Sequence, residues 1–104
     1  MTSPLQAVIC VSGDAIFRKG EIGDLMYFVK RGQAQVFNAE GVIVHTFSTG
    51  DSFGEIALLS DVPRTADVYA HTDCMLLSLH KGDFMTVLSK FPSARAIIEK
   101  AAQV

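Results

Sequence analysis

A mainly β domain with helices at its C-terminal end is predicted by three features of the sequence. Short apolar segments separated by glycine-containing turns fill the first two-thirds of the chain. The texture changes at Phe53, after which Glu55, Ala57 and Leu58 favour helix. Apolar residues at three- and four-residue steps then mark the C-terminal part. Many short strands at regular turn spacing make a sandwich, a roll or a barrel.

The elements follow in order. Ala7 to Val11 is apolar and partly β-branched, and Ser12-Gly13-Asp14 breaks it. Ala15 to Arg18 is a short strand, followed by the turn cluster Lys19 to Asp24. Leu25 to Lys30 is a strongly apolar strand with two aromatics, and Arg31-Gly32 turns it into Gln33 to Asn38. There Gln33, Gln35 and Phe37 alternate with Ala34, Val36 and Asn38, the period-two pattern of a strand. Ala39-Glu40-Gly41 makes a hairpin loop, Val42 to Phe47 returns, and Ser48 to Asp51 turns again. Gly54 to Ser60 fits one or two helical turns, ended by Asp61-Val62-Pro63. Thr65 to His71 and Cys74 to His80 read as two further strands. Phe84, Val87, Leu88 and Phe91 then define one apolar helix face. Pro92 stops that helix, and Ser93 is a favourable N-cap for the next. Ala94 to Val104 contains no breaker and ends without a cap, so the chain reads as a fragment cut inside its last helix.

Size and charge narrow the function. With 104 residues the chain is long enough for one domain and not for two. Hydrophobic residues at 49% against 19% charged give an ordinary globular balance and argue against a disordered tail. The formal net charge of -2 and the lack of a basic run give no support to a nucleic-acid interface. An anionic ligand has to be held by a local site. Cys10 and Cys74 form no C-x-x-C pair and read as buried reduced thiols, which suits a cytosolic compartment. No apolar run approaches the roughly 20 residues of a membrane span, and no signal peptide is evident.

The chemistry concentrates between Phe53 and Ala66. A strand ends at Gly54 and a short helix begins, with backbone N–H groups that have no intrahelical partner. The helix dipole adds partial positive charge there, so the turn suits an anion. Gly54 lets a ligand approach the backbone closely. Arg64 follows a proline that fixes the local backbone, and its guanidinium can fork onto two phosphate oxygens. Thr65 adds a hydroxyl, and Glu55 is a candidate acceptor for a sugar hydroxyl. An anion cradle beside a sugar acceptor describes a nucleotide pocket. Taken alone, a Glu and an Arg nine positions apart are most often a solvated pair.

The run Phe53-Gly54-Glu55-Ile56-Ala57-Leu58-Leu59, a short gap, then Pro63-Arg64-Thr65-Ala66 closely resembles the phosphate-binding cassette of cyclic-nucleotide-binding domains. The glycines Gly13, Gly20, Gly23 and Gly32, the strand Met26 to Val29, and Asp83 to Pro92 fit the same family. The resemblance covers nearly the whole chain. It implies an eight-stranded, jelly-roll-like β-roll over about residues 5–80. It also implies a short cassette helix and C-terminal helices B and C over about residues 81–104, with C truncated. The ligand implied is cAMP or cGMP, with no cofactor, no metal and no catalysis. Arg64 would pair with the phosphate oxygens and Glu55 would hold the ribose 2′-hydroxyl. Gly54, Ile56 and Ala57 would present backbone groups. Thr65 would touch the phosphate and, for a syn guanine, the base amino group. Phe53 and Ala66 flank the cassette, Val36 and Phe47 would form part of the base wall, and His45 is a weaker candidate.

The branch most resembled is that of cyclic-nucleotide-gated and hyperpolarization-activated channels, through Arg64-Thr65-Ala66, Cys74 to Leu79 and Phe91-Pro92. That implies a cytoplasmic regulatory module of a tetrameric cation channel, gated by closure of the C-terminal helix, without direct membrane contact by this segment. A kinase regulatory subunit is the alternative, as is an assembly module that keeps the fold and binds nothing. Asp67 departs from the channel pattern, where a small polar residue is usual. It is read as pointing to solvent or, by strand alternation, into the pocket beside Thr65. A metalloenzyme on a similar barrel would need clustered ligands, and His45, His71 and His80 are too scattered for that. Met26, Met75 and Met85 read as core filler.

Overall fold

The computed structural model describes residues 5–91 and 93. Eight strands run β1 (Leu5–Cys10), β2 (Ala15–Phe17), β3 (Leu25–Arg31), β4 (Ala34–Phe37), β5 (Ile43–Phe47), β6 (Ser52–Phe53), β7 (Asp67–Ala70) and β8 (Cys74–His80). Helix α1 (Glu55–Ser60) lies between β6 and β7, and α2 (Lys81–Lys90) follows β8. The strands form two four-stranded antiparallel sheets, ordered β1-β8-β3-β6 and β2-β7-β4-β5. The expected mainly β roll with a cassette helix and a C-terminal helix is the observed architecture.

Both sheets feed one core. Cys10, Tyr27, Val29, Phe53, Cys74 and Leu76 of the first sheet pack with Ala34, Phe47, Val68 and Ala70 of the second. The continuous apolar run of β3 has a simple cause. Tyr27 and Val29 face this core, while Met26 and Phe28 face a second cluster with Leu58 of α1, Leu79, and Phe84 and Leu88 of α2. A strand covered on both faces has no polar side to show. Cys10 and Cys74, distant in sequence, are register partners across β1 and β8 and are buried free thiols.

The strand read as ending at Gly54 is Ser52-Phe53, paired with Phe28 and Tyr27. Sequence readings of the C-terminal part are corrected. The apolar face of α2 narrows to Phe84 and Leu88, because Val87 and Phe91 are exposed. Met85 is likewise exposed and is not core filler. Helix α2 starts where expected, since the His80 imidazole Nδ1 accepts the Gly82 N–H at 3.1 Å and caps it. Ser93, expected as an N-cap, is itself helical, and the helix read over 94–104 lies outside the described residues.

Candidate functional site

A cavity of about 470 Å³, its open mouth included, lies among β2, β4–β7 and α1. Its apolar wall is Phe17, Val36, Phe47, Phe53 and Val68. The wall is rigid because Phe53 stacks on Phe47 at 4.9 Å and on Tyr27 at 5.4 Å between ring centroids. The remaining lining is Gly54, Ile56 and Ala57 on one side and Pro63, Arg64, Thr65 and Ala66 on the other. This size and mixture suit a small ligand with a flat apolar part and a polar end.

The polar end is built by α1 and the segment after it. Gly54 precedes the helix at φ 89°, a left-handed conformation that favours glycine. A Cβ there would also meet Arg64 Nη1 at 3.0 Å. The N-cap residue supplies no side-chain cap, and beyond the Glu55 N–H, which bonds its own carboxylate, the next N–H groups of the helix start have no intrahelical partner.

Arg64 is only 6% exposed. Its Nη1 donates to the Gly54 carbonyl at 2.7 Å and its Nη2 to the Leu25 carbonyl at 2.5 Å. Its Cζ lies 4.0 Å from the centre of the Phe17 ring, a cation–π contact. Its main chain is tied as well, with the Arg64 N–H on the Glu21 carbonyl and the Gly20 N–H on the Arg64 carbonyl, both at 2.8 Å. Burial lowers the guanidinium pKa, against the opposing influence of Tyr27, Asp24, Glu21 and Glu55. Arginine remains a cation regardless. Among the described residues no carboxylate lies within ion-pair distance of it. A buried cation held by carbonyls on a cavity wall, with N–H donors to spare, is a site for an anion.

Glu55 is 3% exposed, and its Oε2 has no hydrogen-bond partner. Burial raises its pKa, while a hydrogen bond to its own backbone and the charge of Arg64 pull the other way. An unpartnered buried carboxylate oxygen is a costly feature that a ligand hydroxyl would relieve.

Of the residues singled out in the sequence, Val36, Phe47, Phe53, Gly54, Ile56, Ala57, Arg64, Thr65 and Ala66 meet at this cavity. Glu55 is the exception. It is buried between two lining residues without lining the cavity itself. His45 packs edge-on against Phe47 at 4.6 Å and is not part of the lining. Asp67 stays out of the cavity on the outer face of β7, as one of its two expected courses has it, and there its Oδ1 accepts the Lys19 N–H at 2.8 Å. Sequence reasoning missed Phe17 and Val68. Strand alternation from Ala66 points to Val68, and Phe17 is its register partner. Among the described residues no group of three or more His, Cys, Asp or Glu could hold a metal.

A two-sheet roll with a buried arginine on its cavity wall and an orphan carboxylate oxygen in the residue behind it has the features of a small-molecule binding domain. The family described as the cyclic nucleotide-binding domain matches residues 9–91, and the chain belongs to that family. The chain is 37% identical, over 96% of its length, to the mouse "Cyclic nucleotide-gated channel beta-3", covering 15% of that protein. It is 38% identical over 85% of its length to the "cAMP-dependent protein kinase regulatory subunit" of Yarrowia lipolytica, covering 24% of it. The solved structure titled "cAMP bound PfPKA-R" superposes with a TM-score of 0.82 at 27% identity, over 94% of this chain and 35% of that one. The chain thus spans under a quarter of the length of these two curated relatives.

Proposed function

We propose that this chain is a single regulatory domain that binds cAMP or cGMP. Arg64 and the backbone groups of Gly54, Ile56 and Ala57 take the cyclic phosphate, Glu55 takes the ribose 2′-hydroxyl, and Val36, Phe47 and Phe53 face the base. Thr65 and Ala66 line the phosphate end. The observation that carries this reading is the buried Arg64 without an ion-pair partner among the described residues. An anion in the cavity would complete it. The family membership and the cAMP-bound neighbour support the identity of the anion.

The domain regulates rather than catalyses. Ligand binding closes C-terminal helical elements over the cavity, and differential affinity for the open and closed arrangements does the work. The channel relative supports a cation channel as the effector, with the domain on the cytoplasmic side of a tetrameric membrane protein. The kinase relative supports the second reading, a kinase regulatory subunit. Isothermal titration with cAMP and cGMP, for the wild type and Arg64→Ala, tests the binding claim. Saturable binding lost in the variant is the expected result. Heats unchanged by the substitution would refute it.

A further inference from the structure

We propose that Asp67 and Gly23 are positioning residues for Arg64. Asp67 pins the turn between β2 and β3 to β7, and Gly23 in that turn leaves the slot in which the Arg64 guanidinium lies. The inference rests on the reading of Arg64 as the phosphate-binding group and adds what sets its direction.

The turn from Arg18 to Leu25 touches Arg64 at every level. Gly20 and Glu21 hold its main chain through two hydrogen bonds of 2.8 Å, and the Leu25 carbonyl holds Nη2. Gly23 meets the side chain itself. A Cβ built on Gly23 would fall within 3.0 Å of Arg64 Cζ, Nε and Nη2. Gly23, unlike Gly54, does not adopt the left-handed conformation that L side chains avoid. The backbone there would accept alanine, so the requirement for glycine comes from the arginine. Phe17 covers the guanidinium at 4.0 Å, which makes the slot specific for a flat cation.

A turn of this kind needs its own anchor. Within it, the Glu21 carboxylate accepts the Arg18 N–H at 2.9 Å, which shapes the turn without attaching it. At its far end the turn is held by Asp24, whose carboxylate faces His80 at 3.4 Å and whose carbonyl accepts the Lys81 N–H at 2.8 Å. At its near end the side-chain attachment to β7 is Asp67, whose Oδ1 accepts the Lys19 N–H at 2.8 Å. Asp67 stands three residues after Arg64, so one short segment carries both the arginine and an anchor of the turn that aims it.

The test uses the chain with cAMP as probe, and NMR of the Arg64 Nε–Hε group as a readout that needs no ligand. Asp67→Ala is expected to weaken cAMP binding roughly three- to tenfold, an on-scale loss for one hydrogen bond. Gly23→Ala is expected to weaken it at least about tenfold. Both should displace the Nε–Hε resonance. Asp67→Asn keeps an acceptor oxygen for Lys19 and should restore most of the affinity. On an Arg64→Ala background neither substitution should weaken binding further. An unmoved Nε–Hε resonance in both variants would overturn the proposal, even if their melting temperatures fell, since that marks a merely structural role. So would equal losses of affinity with and without Arg64. If Arg64→Ala itself binds cAMP like the wild type, the phosphate reading falls, while the resonance still decides whether Asp67 and Gly23 aim the arginine.

Discussion

Glu55→Gln should make the free domain more stable and the ligand weaker, two effects of opposite sign from one atom. Glu55 is 3% exposed and its Oε2 lacks a partner. A buried unpaired polar group costs about 1–3 kcal/mol, and more when it is charged. Glutamine removes the charge and keeps the shape, though its amide hydrogens also lack partners. A net gain of about 1 kcal/mol is the reasonable scale, which for a domain of this size raises Tm by about 4–8 °C. The pH dependence separates charge from packing. Burial raises the Glu55 pKa above its ordinary 4.5. Between that value and the raised one, the folded state keeps a proton that the unfolded state has released. Stability therefore falls as pH rises through this window and stays lower above it. Glutamine has no proton to release, so its advantage should be near zero below about pH 4 and larger at about pH 7. Meanwhile a charge-assisted bond to a ribose hydroxyl becomes a neutral one, a loss of about 1–1.5 kcal/mol, or roughly tenfold in affinity. Circular dichroism melts at both pH values, with titration of cAMP at neutral pH, measure all three numbers. A lower Tm for the variant near pH 7, or the same difference at both pH values, would refute the reasoning.

Arg64→Ala removes a group bound to two carbonyls and stacked on Phe17. It should weaken nucleotide binding by roughly ten- to a hundredfold or more in titration, since charge-assisted hydrogen bonds contribute about 1.5–3 kcal/mol each. Arg64→Lys should rescue little of this, because one ammonium cannot reach both carbonyls and lie flat on the ring. Phe84→Ala, at a side chain 1% exposed between α2 and the sheet, should cost about 3–5 kcal/mol in denaturant unfolding. Val87→Ser, on the exposed side of the same helix, should stay within about 0.5 kcal/mol of wild type in that assay.

What the sequence made legible, and what it hid, divides along a physical line. Strand order of appearance and the cassette helix follow from local signals: glycine turns and a change of texture at Phe53. Nine of the ten residues that the family resemblance assigned to the site line one cavity. These signals are local because each element carries its own pattern. The misses all depend on what packs opposite. Val87 and Phe91 sit on the right helical period, yet which apolar residues of a stripe are covered is decided by the sheet beneath α2, which reaches Phe84 and Leu88. Asp67 shows this most clearly. Strand alternation offers two destinations for its side chain, the cavity or the outer face. It takes the outer face, and finds a partner there that alternation does not foresee, because β2 lies beside β7 and the turn leaving β2 presents the Lys19 N–H within reach. Alternation describes a strand with respect to its sheet faces and is silent about the sheet's ends, where turns from neighbouring strands offer unpaired backbone groups. A carboxylate at the first residue of a strand is well placed to satisfy such a group. Polar residues at strand ends are therefore the positions where a departure from family pattern is best read as a tether to the adjoining turn. At this one, the turn it tethers is the one that holds Arg64.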